Sequence, residues 1–131
     1  MISLKSSARA PEMARRWLAG VFQEWGLGDD YIGRTVVTEL VTNVHRHTDT
    51  EFIPVRLLLE NGHPVVEVED RSDGLPLVHT EGGAEGGVEG GAEGDLAESG
   101  RGLLMMSLLV QAWGVRTLAG GGKVTWARLG E

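Results

Sequence analysis

Apolar and polar positions along the chain change period twice, and each change marks a new kind of element. Between residues 11 and 25, Met13, Trp17, Val21 and Trp25, with Leu18 and Phe22, recur at helical spacing and predict a core-facing helix. Pro11 and Glu12 suit its first turn and Gly26 its end. A second helix is expected from a cap at Asp29 or Asp30 to about Thr48, with Ile32, Val36, Val37, Leu40, Val41 and Val44 along one arc. The period then falls to two. Val55, Leu57 and Leu59 alternate with Arg56, Leu58 and Glu60, Asn61-Gly62 signals a hairpin, and residues 65–70 form the return strand. Residues 103–110 read as a helix apolar on most sides and hence largely buried. Two strands follow around Gly120-Gly121-Gly122, with Val124, Trp126 and Arg128 on one face, and Ile2 and Leu4 suggest an edge strand at the start. This order predicts a two-layer α/β sandwich with helices on one face of a mixed, mostly antiparallel sheet.

Polar residues interrupt this pattern in two places. Glu39, Asn43 and His47 are four residues apart, so they stack along one edge of the second helix's apolar arc, where a core meets a cleft. The same spacing also suits a solvated helix edge. Zinc is disfavoured, because His45 and His47 point to opposite sides of a helix, whereas the Asn43 amide oxygen suits a hard cation such as Mg²⁺. Val66, Val68 and Asp70 share a strand face, so an apolar face ends in a carboxylate. A half-buried Asp needs hydrogen bonds, which suits recognition of a ligand or capping of the turn 71–74.

The length of 131 residues suits a single domain, taken here as 1–131. The net charge of −7 belongs mainly to one stretch. Residues 79–98 carry six acids and no Lys or Arg, leaving 13 acids against 12 bases elsewhere. No basic stripe argues for nucleic acid, no apolar run reaches the roughly 18 residues of a membrane span, and no cysteine is present for disulfides or thiolate metal sites. A cytoplasmic protein is the default expectation. Residues 81–96 repeat Glu-Gly-Gly-Ala with small variations, a composition expected of a mobile lid over about 77–99 or of a dispensable insertion. Gly100-Arg101-Gly102-Leu103 then opens a helix, and free N–H groups at such a start attract phosphate.

Three motifs stand in order: Glu39-x-x-x-Asn43, then Asp70-x-Ser72-x-Gly74-x-Pro76, then Gly100-Arg101-Gly102-Leu103. The series resembles the boxes of the ATPase family shared by gyrase, Hsp90, histidine kinases and MutL, known as the Bergerat ATP-binding fold. Within it, Glu-Leu-Val-Thr-Asn, His47 and the terminal Gly-Gly-Lys-x-x-Trp look like small bacterial anti-sigma factors that are serine/threonine protein kinases. The resemblance spans about residues 11–129. It implies that ATP and Mg²⁺ are bound by Asn43, His47, Asp70, Gly74, Pro76, Gly100, Arg101, Gly102 and Leu103. Asp70 would take the adenine amino group, Asn43 the metal, and Glu39 would be the catalytic base. The partners implied are a sigma factor and an anti-anti-sigma protein, and a homodimer is compatible with the resemblance. Ser72 departs from the family's usual glycine, and the acidic lid offers no Lys or Arg to the γ-phosphate. The alternative function is therefore a nucleotide-gated protein-binding module without kinase activity.

Overall fold

The computed structural model describes residues 1–71 and 104–130. Strand β1 (Ile2–Lys5) leads into helices α1 (Ala10–Trp25) and α2 (Tyr31–His47), followed by strands β2 (Phe52–Glu60), β3 (His63–Asp70), β4 (Ala112–Thr117) and β5 (Lys123–Arg128). The five strands form one sheet in the order β1-β2-β3-β5-β4, and every pairing is antiparallel. The hairpin turn has Asn61 at φ 52° and Gly62 at φ 83°, the left-handed pair that lets a two-residue loop follow the strand twist.

The sheet has two unlike faces. On one, Ile53, Val55, Leu57, Val66, Val68, Trp113 and Ala127 join Leu18, Phe22, Val36, Val37, Leu40, Val41 and Val44 in a single core. Both helices therefore lie on this face, giving the α/β sandwich. Gly33 lets them approach: a Cβ there would come within 3.0 Å of Leu18 Cδ2 and 3.3 Å of Phe22 Cζ.

Two sequence expectations need correction. The buried stripe of α1 is Ala10, Ala14, Leu18 and Phe22, with Trp17 and Val21 only partly covered. Met13 is 47 % exposed, and Trp25 also faces outward. Counting large side chains misplaced the stripe, because small alanines fill the closest approach. The second correction concerns the segment after residue 103. Its described helical part is one turn, 104–107, with only Met106 in the core, while Leu104, Met105 and Leu108 are exposed. Within this described part, Met106 alone joins the core before the chain enters β4.

Candidate functional site

Asp30 stands at the N-cap of helix α2, but the expected side-chain cap belongs to its neighbour. Asp29 Oδ1 accepts from the Tyr31 backbone N–H at 2.9 Å, while Asp30 Oδ1 takes Arg34 Nε at 2.9 Å. The α2 backbone then carries the three polar positions into distinct environments. Glu39 is half-buried, Asn43 is only 7 % exposed, and His47 is exposed at the last turn. The edge is therefore not uniformly solvated.

Glu39 opens into a cleft of about 380 Å³ between α1, α2 and the residues after 103, lined also by Arg15, Arg34, Thr35, Thr38, Met105, Met106 and Leu109. Arg15 Nη1 donates to Thr38 Oγ1 at 3.2 Å, and Thr38 Oγ1 donates to the Arg34 carbonyl at 2.7 Å. Arg15 and Arg34 thus line the cleft together with Glu39, Arg34 being paired with Asp30. Sequence reading missed both arginines. They sit on separate helices, and only the crossing of α1 and α2 brings them together.

Asn43 sits where burial makes an amide expensive to leave unbonded. Among the described residues, no group hydrogen-bonds its side chain. A buried carboxamide oxygen of this kind fits a hard divalent cation, which Mg²⁺ sites complete with phosphate oxygens and water. The described residues hold no cluster of three or more His, Cys, Asp or Glu.

Asp70 ends β3 on the helix-covered face and is 4 % exposed. Its Oδ2 accepts from Lys123 Nζ at 2.9 Å across the β3–β5 pairing, where the two residues stand directly opposite. The turn before Lys123 is pressed against this spot. Gly122 has φ +87°, and a Cβ on it would collide with the Asp70 carbonyl oxygen and lie 3.2 Å from Arg71 Cα. Lys123 entered the sequence reading only as part of a terminal motif. The register of β5 shows why it matters.

On the opposite face, Glu67 and Glu69 are also buried. Arg56 Nη2 and Arg71 Nε hold the two Glu69 oxygens at 2.7 and 2.6 Å, and Arg116 Nη2 reaches Glu67 at 3.1 Å. Burial alone would raise the Glu69 pKa, but the hydrogen bonds and charges of Arg56 and Arg71 outweigh it and hold the carboxyl below its ordinary range.

Of the expected site residues, Gly74, Pro76, Gly100, Arg101, Gly102 and Leu103 lie outside the described residues, as does the proposed lid at about 77–99. Among the described residues, no helix is long and apolar enough to cross a membrane.

The fold is an α/β sandwich, with Asn43 buried on α2 and Asp70 and Lys123 buried at the paired ends of β3 and β5. The histidine kinase-like ATPase domain model matches residues 4–129, and the chain belongs to that family. No curated protein matches the chain.

Proposed function

We propose that this chain is a Mg-ATP-binding anti-sigma regulatory factor that captures a sigma factor and phosphorylates an antagonist, anti-anti-sigma protein on Ser or Thr. Membership of the ATPase family supports ATP as the nucleotide. The observation that carries the catalytic part is Glu39. It stands one helical turn before the buried Asn43 amide and opens into a cleft wide enough for a partner's side chain.

In this reading Asp70 accepts from the adenine amino group, and Asn43 supplies an oxygen to Mg²⁺. The metal supplies neutralisation of the phosphate charge when bound. Glu39 takes the proton of an incoming hydroxyl as its oxygen bonds to the γ-phosphorus and the β–γ bridging bond breaks, leaving ADP and a phosphoester. Arg15 at the cleft favours an acceptor segment carrying acidic residues. The cytoplasm is the setting this role requires.

Glu39→Gln tests the reading, with phosphotransfer measured against a partner co-purified from the native cell. General-base assistance is typically worth ~10²–10⁴ in rate, so transfer should fall by that order while ATP affinity stays near wild type. Asn43→Ala should instead weaken Mg-ATP binding itself. Wild-type rates in Glu39→Gln would remove the catalytic assignment. Absence of transfer by the wild-type chain to any partner would establish the non-catalytic, nucleotide-gated binding module.

A further inference from the structure

Lys123 opens β5 beneath the helix layer and is 8 % exposed, so its ammonium has been taken almost fully out of water. Such burial is expensive, and a single carboxylate returns only part of the cost. An ammonium carries three N–H donors. Among the described residues, Asp70 Oδ2 is the only acceptor Lys123 meets. A plain strand position on this face would be met by an apolar side chain, as at Val68 and Ala127 on the same strands. The remaining donors of Lys123 therefore point to something that binds beside Asp70.

We propose that Lys123 is a specificity-determining residue, forming with Asp70 a donor–acceptor pair that reads the base edge of the nucleotide. This rests on the reading of Asp70 as the adenine contact. Adenine places an amino donor next to the N1 acceptor on its pairing edge. A carboxylate oxygen and an ammonium held 2.9 Å apart offer the complementary order: Asp70 accepts from the amino group and Lys123 donates to N1. Guanine presents the reverse order, a carbonyl acceptor beside an N1–H donor. In the same seat it would set acceptor against carboxylate and donor against ammonium. Sites that hydrogen-bond a substrate group discriminate strongly, because a mismatch leaves buried partners unpaired.

The geometry is built to be rigid. Asp70 and Lys123 are fixed as opposite residues of one antiparallel pairing, and the close seating of Gly122 on the Asp70 backbone holds the turn in place. The family resemblance assigns the aspartate a role and does not assign one to this lysine.

The test compares Mg-ATP with 1-deaza-ATP, in which a C–H replaces N1, by calorimetry on the full chain as wild type, Lys123→Met and Asp70→Asn. Hydrogen bonds to charged groups convert to about 10- to 100-fold in affinity, so wild type should bind 1-deaza-ATP weaker by that factor. Lys123→Met should bind ATP more weakly and no longer distinguish the two ligands. If Lys123→Met keeps the wild-type ratio of affinities, the lysine is only a counter-ion and the proposal fails. Unchanged ATP affinity in Asp70→Asn would instead overturn the adenine assignment of Asp70, a separate failure. Lys123→Met leaves a buried carboxylate without its cation and risks unfolding, so a second measurement uses the wild-type chain. The ¹⁵N resonance of the Lys123 ammonium should shift on adding Mg-ATP and stay near its free position with 1-deaza-ATP. Equal shifts with both ligands would overturn the contact to N1.

Discussion

Gly122→Ala is the sharpest single test of how the turn before β5 supports the site. Two separate terms act against any side chain there. The backbone sits at φ +87°, a conformation that costs a non-glycine residue about 1–3 kcal/mol. The added Cβ also runs into the Asp70 carbonyl oxygen, which is backbone and cannot rotate away, and meets Arg71 Cα at 3.2 Å. Relief requires moving the end of β3 or the start of β5, and either motion pulls Lys123 from Asp70. The sum should reach at least ~2 kcal/mol, against a whole-domain stability of about 5–15 kcal/mol. Gly120→Ala in the same turn is the control, because no atom lies within 4 Å of its Cβ position. Surface changes of that kind stay within about 0.5 kcal/mol. Urea unfolding followed by tryptophan fluorescence measures both variants, and a Mg-ATP titration of the folded fraction measures the site. Gly122→Ala within 0.5 kcal/mol of wild type, or a matching loss in Gly120→Ala, would refute the argument that this contact holds the strand ends together.

Two further outcomes follow from the packing and the charges. Leu18 is fully buried between α1, α2 and the sheet, so Leu18→Ala should cost ~2–5 kcal/mol by chemical denaturation; a loss below 1 kcal/mol would mean the helix layer is loosely packed. Glu69 has a depressed folded-state pKa, so its contribution to stability is present above the ordinary value of 4.5 and is lost as pH falls through the lower folded value. The stability gap between wild type and Glu69→Gln should therefore be constant near neutrality and shrink in acid, whereas parallel curves down to pH 3 would contradict the role given to Arg56 and Arg71.

Much of this architecture was legible because local chemistry and global fold agree. The Asn61-Gly62 turn, the alternation in β2 and β3 and the arc of α2 each specify their own element, and all survive in the structure. What escaped sequence reading is what depends on approach distance or on register. Ala10 and Ala14 continue the buried face of α1 beyond Leu18 and Phe22, yet alanine adds little to a hydrophobic pattern. Arg15 and Arg34 meet at one cleft only through the crossing of two helices. Asp70 was legible as an acid ending an apolar strand face. Its partner Lys123 was not, since 53 positions and a strand pairing separate them.

The asymmetry of the sheet explains how a small domain commits one face to a site and still closes the other. Strand β3 lies at the centre of the sheet order, so both of its faces must be shielded. Helices shield Val66, Val68 and Asp70. Nothing helical among the described residues covers Glu67 and Glu69, and arginines from β2, β4 and the end of β3 close over them instead. Arginine suits this because its aliphatic stem covers apolar surface while its planar head satisfies carboxylate oxygens. An apolar outer face on the same strand would invite a second layer or a second sheet. The ionic cover removes that need, and leaves the helix-covered face free to carry its costly polar groups, Asn43 and the Asp70–Lys123 pair, the groups we propose as nucleotide contacts.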